Sequence, residues 1–289
     1  MSERFALDWL KLRESADLAA RNPALARRFA AALPTKRPLQ LIDLAAGSGT
    51  NTRALLPRIA GDQQWRLIDH DRDLLAAQAE EFTHWARRQG YPITAGGGRA
   101  LIDARPAQWQ IEAMPLDLDR DLATLGEIEF DGITAASFFD LVSQEWLARF
   151  VALLAARRVP LLAVLTVDGR REWQPQLEDD ALIAEAFASH QRRVKNFGAA
   201  LGGTAPAALV ALLRQTGFGV ERAASDWRLG PRDEALLAAL IAGEAGAARA
   251  AAPEAAGRID AWEKARRGLL AERRLGLTVG HCDLLALPA

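Results

Sequence analysis

A doubly wound α/β fold is predicted here, with a mostly parallel seven-stranded sheet, an N-terminal helical segment and helical insertions in the C-terminal half. Three features carry that expectation. Short apolar runs alternate with helical spacing from residue 39 onward, which is the signature of parallel strands joined by crossover helices. The first run, 39–44, ends abruptly in the small-residue turn Ala45-Ala46-Gly47-Ser48-Gly49. A later run, 160–167, is almost continuously apolar, as a strand covered on both faces must be.

Within residues 5–33, Phe5, Trp9, Leu12, Leu18, Leu25 and Phe29 recur mostly at three- and four-residue steps, so one or two amphipathic helices are expected before Pro34 and Pro38. Strand 39–44 carries Asp43, a helix follows over 50–59, and strand 65–68 is closed by Asp69 before a helix over 74–85. The stretch 96–119 is less regular, with strands at 100–102 and 109–114. Regular alternation resumes with strand 133–136, helix 144–156, strand 160–167, helix 205–215 and strand 219–223. Two alanine-rich helices over 233–248 and 253–273, broken locally by Gly246 and Pro253, precede a last strand at 275–279 or 283–287. Residues 1–38 are thus expected as a helical cap and 39–289 as the main domain, with insertions near 170–200 and 232–273.

Composition narrows the class. The 289 residues are 50% hydrophobic and 25% charged, enough for a large core, and no apolar run approaches the ~20 residues of a membrane span. Arg4, Asp8, Lys11, Arg13, Glu14, Asp17 and Arg21 interrupt any secretory leader, so a soluble, cytoplasmic chain is expected. The lone Cys282 excludes an internal disulfide and a cysteine-built metal site. With 36 basic against 37 acidic residues the net charge is −1. Only Lys11, Lys36, Lys195 and Lys264 are lysines, and the arginine and alanine bias reflects GC-rich codons. Neither a nucleic-acid nor a membrane partner is expected.

The segment Leu41-Ile42-Asp43-Leu44-Ala45-Ala46-Gly47-Ser48-Gly49-Thr50 is the most informative. Glycines let a backbone approach a ligand, and the helix N-terminus beyond them exposes unpaired N–H groups. A dinucleotide fingerprint would want a third small residue where Thr52 stands and has no use for Asp43 at its offset. The segment resembles the first motif of the class I S-adenosylmethionine-dependent methyltransferases, with Ala45-Ala46 where many members carry glycine or cysteine. That Rossmann-like family, here in the style of a bacterial small-molecule enzyme, implies S-adenosylmethionine as cofactor and S-adenosylhomocysteine as product. It implies Asp43, Ala45, Gly47, Gly49 and Asn51 around the amino-acid end. Asp69 is implied on the ribose, with Asp71 the second choice, and His70 beside the cofactor. Met114-Pro115-Leu116-Asp117-Leu118 resembles the adenine element, giving Asp117 and Leu118, with Asp119 and Asp121 as competitors. Ser137, ending the run from Phe130, is implied where cofactor and acceptor meet.

Methyl transfer from a sulfonium is an in-line displacement, so the protein chiefly aligns the reactants, and a base is optional. Of the four histidines, His84 shares a helix with Trp85 and reads as a packing or surface residue. His190, in Ser189-His190-Gln191-Arg192-Arg193-Val194-Lys195, is the candidate base. Arg192, Arg193 and Lys195 are candidates to pair with an anionic acceptor, and the competing reading is a solvated helix face. Asp140 and Asp168 stand at strand ends, either as base or acceptor anchor or as helix caps. Trp173 and Trp227, in polar settings, are candidates to stack on an aromatic acceptor. Arg13, Glu14, Asp17 and Arg21 read as surface pairs or as a cap over the cofactor. His281-Cys282-Asp283 is not read as a metal site, because strand neighbours point apart. The resemblance implies a small-molecule acceptor, since the helices at 233–273 replace the short hairpin usual between the last two strands. The alternatives are a non-catalytic S-adenosylmethionine-binding regulatory or scaffold protein, and a protein or RNA methyltransferase.

Overall fold

The computed structural model describes residues 6–35, 38–191, 194–195 and 197–289. Its first half runs α1 (Leu7–Ala20), α2 (Pro23–Ala32), β1 (Leu39–Leu44), α3 (Thr50–Leu55), β2 (Gln63–Asp69), α4 (Arg72–Gln89), β3 (Ile93–Gly96), β4 (Arg99–Ala104), β5 (Ala107–Pro115), β6 (Gly132–Ala136) and α5 (Gln144–Arg157). The second runs β7 (Leu161–Gln174), α6 (Asp180–Gln191), β8 (Val194–Lys195), β9 (Gly198–Ala199), α7 (Ala205–Gln215), β10 (Phe218–Ala224), β11 (Trp227–Leu229), α8 (Glu234–Ala251), α9 (Ala256–Ala271) and β12 (Gly276–Pro288). Local chemistry sets several boundaries. The Asn22 side chain caps α2 by accepting from the N–H groups of Ala24 and Leu25, with Pro23 at the first helical position. Asp71 does the same for α4, whose C-terminus stops at Gly90 in the left-handed region.

The main sheet has the order β10-β12-β7-β6-β1-β2-β5-β4-β3, with β11 beside β12. The strands β5, β2, β1, β6 and β7 are mutually parallel, whereas β12 runs antiparallel to both β7 and β10. Those seven strands are the expected sheet. Three more extend it: β11, β4, which covers the strand expected at 100–102, and β3, joined to β4 by a turn through Gly97-Gly98. β7 continues to Gln174, past the end of the apolar run. Beyond Val167 only alternate residues are covered, so the pattern changes from continuous to period two, as an antiparallel strand with one wet face requires. The insertion expected from residue 170 therefore starts with α6. β12 spans both positions considered for the last strand.

Two cores flank the sheet. Ile42, Leu44, Ile133 and Ala135 point to the face covered by α5 and α7, while Leu39, Leu41, Trp65 and Leu67 point to the face covered by α2 and α4. A third core joins α6, α8 and α9 to the far ends of β7, β11 and β12. At its centre the fully buried Arg266 donates to the Pro175 carbonyl at 2.6 Å and to Asp180, its guanidinium lying over Trp173 and Trp262 at 5.0 and 5.5 Å.

The alternation along β7 breaks at Leu165, which follows Val164 into the same core and has φ 55°. Asp283, completely buried on β12, holds this irregularity: one oxygen accepts from Leu165 N at 2.8 Å and the other from Asn22 N at 2.7 Å, at the joint between α1 and α2. One carboxylate thereby ties the cap to the centre of the sheet. Asp283→Ala strands both N–H groups and is expected to destabilise the fold by about 1–3 kcal/mol for each. Urea unfolding will read this as a lower midpoint, with Asp283→Asn losing less because its carbonyl oxygen retains one bond.

Candidate functional site

The parallel strands β1 and β6 end side by side against the middle of β7, and each end bends sharply. Ala45 after β1 and Ser137 after β6 have φ 48° and 51°, values that cost a residue with a Cβ some strain. Gly47 and Gly49 lie in the same left-handed region at φ 53° and 82°. A Cβ on Gly49 would sit 2.7 Å from the Phe82 ring, so only glycine fits there. Two carboxylates hold the loop. Asp69 accepts from Gly47 N at 2.8 Å and from Asp71 N at 2.9 Å, fastening the glycine turn to the end of β2. Asp43 is completely buried and accepts from Asn51 Nδ2 at 2.6 Å, Thr52 Oγ1 at 2.7 Å and Thr134 Oγ1 at 2.9 Å. Burial pushes its carboxyl up from the ordinary range, against the pull of those three donors and of the Arg21 charge.

Helix α1 closes over this turn through polar contacts. Arg21 donates to Asn51, Glu14 pairs with Arg53 at 3.0 Å, and Lys11 pairs with Glu81 at 2.8 Å. Arg13 donates from Nη2 to Ser137 Oγ at 2.6 Å and is held by Asp17 at 2.9 and 3.0 Å. Asp17 in turn accepts from Trp227 Nε1 at 3.0 Å. The expected i,i+4 pair Arg13–Asp17 is present, and Arg13, Glu14 and Arg21 also reach side chains at the glycine turn and the end of β6.

Two cavities open at the strand ends. A small one, about 120 Å³, lies over the glycine turn and is lined by Leu10, Arg13, Asp43, Gly47, Asn51 and Ser137 among others. A larger one, about 520 Å³, lies between α1, α6 and α8, and its walls include Trp9, Asp140, Phe187, His190, Trp227 and Glu244. Arg13, Ser137 and Leu141 line both, so the cavities meet at the end of β6. The larger falls in the range of small-molecule sites, while the smaller encloses one end of a ligand of that size.

No family model matches the chain, and no curated protein matches it in sequence. Solved structures do match. A cyclopropane-fatty-acyl-phospholipid synthase-like protein of Lactobacillus casei is 13% identical over 96% of this chain and 92% of its own, with a TM-score of 0.51. For a cyclopropane synthase of Mycobacterium tuberculosis the values are 12%, 98%, 94% and 0.49. For a SAM-dependent methyltransferase of Geobacter sulfurreducens, solved with S-adenosyl-L-homocysteine, they are 15%, 98%, 99% and 0.44. This chain has the class I methyltransferase fold. The likeness to the first of these structures and the strand order, with β12 antiparallel beside β7, both express it.

In this methyltransferase fold the sequence candidates are distributed unevenly. Asp43, Ala45, Gly47, Asn51 and Ser137 line the small cavity, but the Asn51 amide is engaged by Arg21, Asp43 and Thr134. Gly49 and Asp69 support the turn from behind. His70 is exposed at its rim, its imidazole pushed up by a hydrogen bond to Asp69 and by the Asp69, Asp117 and Asp71 charges. Asp117 is half-buried, and the Leu118 carbonyl accepts from Trp146 Nε1 at 2.7 Å, anchoring that loop to α5. His190, Asp140 and Trp227 share the large cavity. Trp173 does not line it; its indole is buried against Trp262 and donates to Glu244 at 3.0 Å. Asp168 is outside it as well, held by Arg170 at 2.6 Å. Arg192 and Arg193 fall outside the described residues, and of Lys195 only the backbone is described. Among the described residues no group of three or more His, Cys, Asp or Glu side chains could hold a metal, and no helix is long and apolar enough to cross a membrane.

Sequence reasoning passed over Arg171, Phe187 and Glu244. Glu244 was the findable one, as the single acid in the apolar stretch Leu240-Ile241-Ala242-Gly243-Glu244-Ala245. His281 lies beneath the large cavity, 5.0 Å from the Trp227 ring, with Nδ1 donating to the Val279 carbonyl at 2.9 Å. Burial first, then the Arg13 charge, lower its pKa from 6.5 to about 4. The unfolded chain therefore binds this proton more readily, and stability falls as pH drops from 6.5 toward 4. His281→Gln is expected to remove about 2 kcal/mol of the loss between pH 7 and pH 5, read from urea midpoints at the two pH values.

Proposed function

We propose that this chain transfers a methyl group from S-adenosylmethionine to an oxygen or nitrogen of a small-molecule acceptor. The observation that carries the reading is the junction at Arg13, Ser137 and Leu141 of a glycine-turn cavity with a larger, mixed cavity, at the C-terminal ends of parallel strands. Residues of the small cavity fit the cofactor's amino-acid end. Gly47 allows close backbone approach, Arg13 offers a guanidinium to an α-carboxylate, and the buried Asp43 contributes negative charge toward an ammonium and a sulfonium. His70 and Asp117 border the side on which ribose and adenine would lie.

When bound, the cofactor supplies a methyl carbon already activated on sulfur. The chain's own part is then positional. Ser137 and Leu141 form the seam, α1 covers it against water, and the walls of the larger cavity orient the acceptor atom. His190 and Asp140, both on that cavity, are the groups proposed to take a proton from an acceptor hydroxyl or amine. A small-molecule rather than macromolecular acceptor is supported by this cavity, closed in by α1, α6 and α8.

Calorimetric titration with S-adenosylmethionine and S-adenosylhomocysteine tests the reading, with micromolar binding of both expected. At Gly47 a Cβ would meet Leu10 at 3.1 Å and φ is positive, so Gly47→Arg is expected to abolish binding without unfolding the sheet. Arg13→Ala is expected to weaken binding about 10- to 100-fold through the lost charge-assisted hydrogen bonds. Undiminished affinity in both variants would overturn the assignment.

A further inference from the structure

The large cavity contains a second arginine that the reaction outlined above does not use. Arg171 projects from β7 between α6 and α8, its guanidinium 5.1 Å over the Phe187 ring. Its Nε donates to Glu244, and Nη2 lies in ion-pair contact with the same carboxylate. Glu244 is only 2% exposed, and its other oxygen accepts from Trp173 Nε1 at 3.0 Å. Both Glu244 oxygens are thus committed to the protein, whereas the arginine, with five N–H donors, meets only that one carboxylate among the described residues.

The same contacts weigh against a cationic acceptor. Aromatic faces are what would hold one, and two on this cavity already carry guanidinium groups: Phe187 faces Arg171, and Trp227 faces Arg13 at 4.8 Å. His281 beneath them stays neutral partly because both arginines oppose its protonation. Asp140 and His190 lie on the same cavity, and Leu240, Gly243, Ala247 and Val279 leave an apolar space beside Arg171. With Glu244 already against the guanidinium, a single further negative charge is easier to accept than two, and the planar edge of the group matches a carboxylate.

Building on the methyl-transfer reading, we propose that the acceptor is a small monocarboxylic acid with an apolar or aromatic body, and that Arg171 is the residue that selects its carboxylate. The test uses full-length protein saturated with S-adenosylhomocysteine, titrated by ligand-observed NMR with benzoic and phenylpropanoic acids, their primary amides, benzylamine and phenyl phosphate. The acids are expected to bind about ten-fold or more tightly than the amides. Arg171→Gln erases that preference and leaves S-adenosylhomocysteine affinity unchanged. Glu244→Gln moves the other way, strengthening acid binding because the arginine loses its internal counter-charge; this variant decides the matter if Arg171→Gln does not fold. Equal binding of acids and amides, preference for the amine or the phosphate ester, no binding by any of the set, or an acid preference that survives Arg171→Gln overturns the proposal. A protein that ignores S-adenosylhomocysteine yet prefers acids through Arg171 overturns the methyl-transfer reading and leaves the carboxylate site standing.

Discussion

The carboxylate of Asp43 is the constraint around which the rest of the site is arranged. A completely buried acid must be met by donors, and the three that meet it come from different elements: Asn51 and Thr52 from α3, and Thr134 from β6. Satisfying one side chain therefore sets the start of α3 against the ends of two parallel strands, which places the glycine turn. Arg21 extends the network by donating to Asn51, so the end of α1 is fastened to the same point. Asp69 repeats the principle on the other side, accepting from Gly47 N and fixing the turn to β2.

Helix α1 has the opposite character. Only Ala16 and Asp17 of its residues are buried, and ion pairs and hydrogen bonds to side chains, together with the packing of Trp9, Leu12 and Ala16 on the third core, attach it to the domain. One face of this helix supplies Leu10 and Arg13 to the small cavity while Trp9 and Arg13 serve the large one, so a movement that admits a ligand to either alters the wall of the other.

Arginines do much of the packing beyond the sheet. Arg13 on Trp227, Arg171 on Phe187, and Arg266 on Trp173 and Trp262 are plates in aromatic stacks, each with a carboxylate at its edge. An arginine-rich composition that reads as codon bias is thus turned to structural use where helices α6, α8 and α9 meet the strands.

What the sequence determined by itself is whatever depends on neighbours along the chain. The strand before the glycine turn, the acid within it, the alternation of strands and helices and the helix at 205–215 were all legible, because periodicity and turn chemistry are local. The strand β3 and the continuation of β7 were not, since short or half-wet strands carry little periodic signal, whereas β4 was expected at 100–102. Asp69 and Asn51 were legible as polar residues near the glycine turn, but not as groups already engaged by Gly47, Arg21 and Asp43. Trp173 and Trp227 have similar polar surroundings in sequence, and only the packing of α9 and α1 sends one into a core and the other to a cavity. The larger cavity belongs wholly to the tertiary structure. Arg171, Phe187 and Glu244 lie on three elements far apart in the chain, and the antiparallel return of β12 beside β7, with α8 packed on α6, is what brings their charges and rings together.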